Sequence, residues 1–119
     1  MEFKKKEPPR KYKVGLNQQI EISDCGEVYL RPDEQVTFVT PSGKQHDFAA
    51  KSWGFYATPS INDRLVRQGF KTALVKNTKG QIYLMVVDPE KMKEFEAYLK
   101  EEKQQVIEWL HEREKINAS

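Results

Sequence analysis

Six consecutive apolar residues, Ile82–Val87, constrain the fold of this 119-residue chain more than any other feature. Turn residues precede them at 77–80, and Asp88-Pro89 follows, so the run has the length of a β-strand and is far too short for a membrane span. Successive side chains of a strand point to opposite faces, and here both faces are apolar. We therefore expect a central strand, covered on both sides, with a helix on one face.

The first fifty residues carry the pattern of further strands. Apolar and polar residues alternate from Tyr12 to Leu16, as in a half-buried strand, and after a break at Asn17-Gln18 the alternation continues with Ile20 and Ile22. A β-branched run at 35–40 is followed by the turn Pro41-Ser42-Gly43-Lys44 and by a return arm at 45–49. This order predicts an antiparallel meander.

A short helix is predicted over residues 59–69. Either Thr58 or Ser60 caps its start, and Gly69 ends it, because glycine readily adopts the left-handed conformation found after helix C-termini.

A long helix is predicted over residues 89–113, with Asp88 as its cap and Pro89 in its first turn. Only Glu102 and Lys103 interrupt its apolar stripe. A helix of that length spans about 37 Å and overhangs a strand of about 17–20 Å, so its apolar end needs a partner. The stripe comprises Met92, Phe95, Tyr98, Leu99, Val106, Ile107, Trp109 and Leu110.

Together these elements predict an α+β fold. We expect an antiparallel sheet of five to seven strands, one short inserted helix at 59–69, and the helix at 89–113 packed on the sheet. Residues 1–10 are charged and contain Pro8-Pro9, which predicts a flexible basic lead-in. Residues 11–119 would then form a single α+β domain.

Charge and cysteine content limit the classes of function. The net charge is +2, but residues 1–13 alone carry +4, so any attraction to nucleic acid would concentrate at the N-terminus. The basic start is not followed by an apolar run, and Cys25 is the single cysteine. These features predict a cytoplasmic protein without membrane insertion or internal disulfide.

The chain carries no catalytic or metal-binding constellation that we can identify. Cys25 could act as a nucleophile only beside a base such as His46 or His111, and the sequence places neither next to it. Two histidines and one cysteine give no metal-ligand spacing, and the glycines form no phosphate loop. We therefore predict no catalytic residues, no metal and no cofactor, and we lean against an enzyme.

The segment around Trp53, Phe55 and Tyr56 is the most informative candidate site. Its rings could stack on bases or sugars, or anchor a peptide. The interpretation that we favour is structural, because a chain of this size needs large side chains to close the end of a sheet. Beyond it, the predicted helix has Ser60 and Asn62 at its start, where the backbone N–H groups of a helix can bind anions. It also has a stripe of basic side chains, a pattern that more often marks a solvent-exposed face than a binding site. The predicted binding residues are Trp53, Phe55, Tyr56, Ser60, Asn62, Arg64 and Arg67.

Three functions are consistent with these patterns. The leading one is a small non-catalytic interaction or accessory domain that forms a homodimer, or joins a larger assembly, through its C-terminal helix. The first alternative is a protein that binds single-stranded nucleic acid with the basic N-terminus and the aromatic segment. The second is a small enzyme, or a sugar- or phosphate-handling protein, with a site near residues 56–62.

Overall fold

The computed structural model describes residues 1–113, in which eight strands and two short α-helices form. The strands are β1 (Glu2–Val14), β2 (Ile20–Tyr29), β3 (Gln35–Val39), β4 (Gln45–Lys51), β5 (Gly54–Ala57), β6 (Lys71–Lys76), β7 (Ile82–Val87) and β8 (Gln105–Trp109). The helices are α1 (Arg64–Arg67) and α2 (Met92–Glu101), and 3₁₀ turns occupy Pro89–Lys91 and Leu110–Glu112. Strands predominate, so the predicted α+β fold with a long C-terminal helix is wrong.

The strands form three small sheets, with the orders β1-β2, β3-β4-β5 and β7-β6-β8. The prediction of one sheet of five to seven strands is therefore wrong. Alternation of apolar and polar residues identifies strands, but it does not determine which strands pair. Most of the predicted strands are present, and the hairpin of β3 and β4 turns at the expected residues.

The described chain groups into two compact units. The first comprises Met1–Thr37 and Asp47–Thr58, and the second comprises Phe38–His46 and the chain from Pro59 onward. Of residues 1–10, predicted as a flexible lead-in, residues 2–10 belong to β1, which pairs with β2. The division of the chain into a lead-in at 1–10 and a single domain at 11–119 stays a prediction.

In the first unit, β1 and β2 form a long antiparallel ribbon. Its register shifts between Lys5 and Arg10, where Pro8 and Pro9 have no N–H to donate to the partner strand. Between this interruption and the turn that joins the two strands, Tyr12 lies opposite Ile22.

The second unit contains the larger apolar core. Central strand β6 buries Ala73 and Val75, and Leu65 of α1 and Phe70 are also buried. Strand β7 lies at the edge of this sheet, so its predicted central position is wrong. The two apolar faces of β7 predicted a central strand. In the structure, β6, with its small and branched residues, is the central strand of the sheet instead.

The predicted helix over 89–113 ends at Glu101. Lys103 adopts a left-handed conformation (φ 53°), and the Gln104 N–H donates to the Leu99 carbonyl oxygen at 2.9 Å. This pair of features closes the helix in a Schellman motif, a role that usually falls to glycine. The chain then enters β8, where Val106, Ile107 and Trp109 suit a strand, and β8 pairs with β6.

The predicted helix over 59–69 is only one turn long. Asp63, not the predicted Thr58 or Ser60, is its N-cap residue and makes no side-chain capping hydrogen bond. Ser60 Oγ nevertheless accepts a hydrogen bond from the Arg64 N–H at 2.9 Å. Gly69 has φ 95° and ends it, as predicted, and the Phe70 N–H donates to the Leu65 carbonyl oxygen.

Candidate interaction surfaces

The seven predicted binding residues divide between the two units. Trp53, Phe55 and Tyr56 lie in the first, whereas Ser60, Asn62, Arg64 and Arg67 lie in the second. Each group is therefore a separate candidate site.

The aromatic segment of the first unit is exposed. Trp53 exposes 70% of its surface and Phe55 66%, so the interpretation that these rings close the end of a sheet is wrong. The reason lies across the strand pair, where Ala49 faces Tyr56 and Ala50 faces Phe55, and alanines are too small to cover a ring. The Trp53 and Tyr56 ring centroids are 6.4 Å apart with the planes tilted by 34°.

Charge around these rings is neutralised within the first unit. Lys51 Nζ donates to Asp33 Oδ1 at 2.5 Å, and this hydrogen bond raises the pKa of the lysine. The first unit as a whole carries eight basic and eight acidic residues. The first unit therefore has no net positive charge from these side chains.

The basic residues of β1 also have acidic neighbours. Lys6 Nζ donates to Asp24 Oδ2 at 2.6 Å, Arg10 lies 3.3 Å from the same carboxylate, and Lys11 lies 3.7 Å from Glu21. The hydrogen bond from Lys6 is the main reason that the pKa of Asp24 is lowered. The positive charge expected for residues 1–13 is therefore largely offset by β2.

The β1–β2 ribbon carries apolar pairs on one face at the end near its turn. Tyr12 pairs with Ile22 and Val14 pairs with Ile20, and the Arg10 guanidinium lies 4.7 Å from the Tyr12 ring centroid. Tyr12 and Ile22 remain exposed. A two-stranded ribbon of this kind cannot bury both of its faces by itself.

The polar and basic candidates of the second unit have local partners. Besides the hydrogen bond that Ser60 accepts from Arg64, the Asn62 Nδ2 donates to the Arg113 carbonyl oxygen at 3.2 Å, and Arg67 lies 3.3 Å from Asp63. With only four residues, α1 is too short to focus its dipole on an anion. These contacts explain local structure without a ligand.

The edge strand β7 is a surface that the sequence reasoning missed. Its residues Ile82, Tyr83, Leu84 and Val86 are exposed, although six apolar residues in succession resemble a buried strand. No signal in the sequence identifies β7 as an edge, because a run without charge, proline or glycine suits a central strand equally well. At an edge, the same run has no protection against pairing with another strand.

The opposite edge of the same sheet is charged. In β8, Glu108 accepts two hydrogen bonds from the Arg113 guanidinium, one of them at 3.0 Å from Nη2. The hydrogen bond to Arg113 is the main cause that lowers the pKa of Glu108. A shallow cleft lies between this ion pair and Trp109.

The apolar residues expected at the end of the long helix pack within the second unit. The Trp109 ring lies 5.9 Å from Phe95 and 5.5 Å from His111, both edge-on. Self-association through a C-terminal helix therefore loses its structural basis, because Trp109 is in a strand and already has ring contacts.

An ion pair joins the β3–β4 turn to the start of α2 in the second unit. Lys44 Nζ lies 2.5 Å from Asp88 Oδ1, and Asp88 also accepts a hydrogen bond from the Glu90 N–H at 2.9 Å. The hydrogen bond from Lys44 lowers the pKa of Asp88 and raises that of the lysine. Asp88 is a cap, as the sequence predicted, but of the 3₁₀ turn Pro89–Lys91, whereas the N-cap of α2 is Lys91.

Cys25 is exposed, and its thiol lies 3.4 Å from the Ser23 carbonyl oxygen. It belongs to the first unit, whereas His46 and His111 belong to the second. Among residues 1–113, no group of three His, Cys, Asp or Glu side chains is placed to hold a metal ion.

Comparison of the chain with protein-family models, with curated proteins and with solved structures finds no match. Neither helix within residues 1–113 is long and apolar enough to cross a lipid bilayer.

Proposed function

We propose that this protein is a small, non-catalytic interaction domain that forms a homodimer or joins a larger protein assembly. One observation carries the proposal. In residues 1–113, nineteen large hydrophobic side chains are exposed, whereas seven hydrophobic residues are buried and three of those are alanines. Exposed apolar surface on this scale, grouped on a ribbon and an edge strand, is typical of a protein that is covered by a partner.

A second copy is the partner that the charge distribution favours. The chain has a net charge of only +2, so two copies repel each other weakly. We keep the cytoplasm as the proposed compartment, because the single free thiol at Cys25 suits a reducing environment.

Sedimentation velocity across protein concentrations tests the proposal. Over a range of about 1 to 100 µM, where weak specific complexes form, we expect the mass to rise from one chain to two. A monomer mass at every concentration would contradict self-association.

Binding of single-stranded nucleic acid remains the second candidate, and the exposure of Trp53, Phe55 and Tyr56 favours it. The equal numbers of basic and acidic residues in the first unit weigh against it. Fluorescence anisotropy of a labelled oligonucleotide at about 50 and 200 mM salt, with tryptophan emission recorded in parallel, separates the two. Tight binding that weakens steeply with salt and quenches tryptophan would place this candidate first.

A further inference from the structure

The free edge of β7 presents a regular row of backbone groups. The Asn77 N–H donates to the Gln81 carbonyl oxygen at 3.0 Å, and the register places Val75 opposite Tyr83 and Ala73 opposite Met85. Opposed residues of an antiparallel pair alternate between bonded and non-bonded, so Tyr83 and Met85 bond to β6. The N–H and C=O groups of Ile82, Leu84 and Val86 therefore point away from the sheet.

The side chains of these three outward-bonding residues share one face of the sheet and are exposed. Ile82 exposes 58% of its surface and Leu84 54%. Hydrogen-bonding groups and apolar surface thus coincide on one strand, and this combination is the template for pairing with another strand.

We propose that β7 pairs antiparallel with β7 of a second copy, around a two-fold axis at Leu84. The inference rests on the proposed self-association and names its surface. Leu84 would lie opposite the partner's Leu84, and Ile82 opposite the partner's Val86. About six backbone hydrogen bonds would form, and the two three-stranded sheets would join into one sheet of six strands.

Charge complementarity favours the antiparallel arrangement of two identical copies. Lys79 precedes β7, and Glu90 follows it; the Glu90 side chain lies 3.6 Å from Lys44 Nζ but is largely exposed. A two-fold axis at Leu84 brings Lys79 to the end of the strand at which the partner carries Glu90. A parallel pair would bring like charges together, at an energetic cost. The strand itself is uncharged, so no charge is desolvated along it.

The interface is small, so we expect a weak dimer. A single pair of six-residue strands buries less than a standard protein interface, and such contacts belong to the weak class. A dissociation constant of about 1–100 µM is the expected range.

Leu84→Lys tests the location, because two lysines would meet at the two-fold axis. The matched control is Ile107→Lys on β8, an exposed apolar residue on the other edge strand of the same sheet. Sedimentation velocity should show dimerisation at least tenfold weaker in Leu84→Lys and unchanged in Ile107→Lys. Far-UV circular dichroism and thermal melting show whether each variant is folded.

A cross-linking variant keeps the test valid if Leu84→Lys fails to fold. In a Cys25→Ser background, Leu84→Cys places two thiols on strands whose bonded residues lie about 5.5 Å apart between Cα atoms, within reach of a disulfide. Mild oxidation should give a covalent dimer, whereas Ile107→Cys in the same background should stay monomeric.

The outcomes separate the two proposals. A wild-type dimer that persists in folded Leu84→Lys, or Leu84→Cys that cross-links no better than Ile107→Cys, overturns the β7 interface and leaves self-association standing. A wild-type protein that is monomeric throughout overturns self-association itself, and the β7 interface with it.

Discussion

The two units of the chain differ in what they bury. The first unit buries two alanines, Ala49 and Ala50, and leaves Trp53, Phe55 and the Tyr12–Ile22 pair of its ribbon exposed. The second unit buries Leu65, Phe70 and Val75 in a shared core. Burial of apolar surface is the main favourable term in folding, so stability should reside mostly in the second unit. The exposed rings of the first unit remain available to a partner, whereas the proposed contact between two copies lies on β7 of the second unit.

Truncation of the core is the largest effect that this contrast predicts. Leu65 is fully buried, and Leu65→Ala should lower the free energy of unfolding by about 2–5 kcal/mol, because it removes transfer energy and leaves a cavity. Its counterpart in the first unit is Ile22→Ala, which should cost less than about 1 kcal/mol. Urea unfolding followed by far-UV circular dichroism measures both.

Equal costs for the two truncations would break the contrast, since they would mean that the ribbon contributes a core of its own. A small cost for Leu65→Ala would likewise show that α1 does not anchor the second unit.

Much of the strand pattern could be predicted from the sequence because it is local. The turn at Asn77–Gly80 lies between β6 and β7, and Asp88 caps the 3₁₀ turn that follows it, since these features depend on neighbouring residues alone. The position of β7 at an edge could not be predicted in this way, because it depends on which strands β6 selects as neighbours.

The missed end of α2 has a different cause. The run from Val106 to Trp109 fits the periodicity of a helix as well as that of a strand, and no glycine follows Glu101 to mark the end of α2. Lys103 takes the left-handed position instead, at a steric cost that favourable pairing of β8 with β6 offsets. The exposure of the aromatic segment could not be predicted for a related reason. It depends on the small alanines of the neighbouring strand β4 and not on the rings themselves.

The next largest expected effect is a loss of stability at acid pH, and it should arise in the second unit. Lys44 holds the pKa of Asp88 below its unfolded value, so the ion pair stabilises the fold above that unfolded value. This contribution is lost as the pH falls through the lowered pKa of the folded state. Lys44→Met should therefore reduce the loss of melting temperature between pH 7 and about pH 3.

The matched variant is Lys51→Met in the first unit, where Asp33 is largely exposed and the ion pair is screened by solvent. We expect its acid profile to follow that of the wild type. If Lys44→Met and the wild type lose melting temperature in parallel over this range, the Lys44–Asp88 pair does not contribute to acid stability.

The smallest expected effect is that of Trp53→Ser in the first unit, and its counterpart in the second unit is Trp109→Ser. Trp53→Ser should change the free energy of unfolding by less than about 0.5 kcal/mol, because the ring is mostly in water already. Trp109→Ser should cost clearly more, since it removes the edge-on contacts with Phe95 and His111. Thermal and urea unfolding of both variants give the difference. Should Trp53→Ser prove as costly as Trp109→Ser, the aromatic segment would be part of a packed core, and its availability to a partner would have to be abandoned.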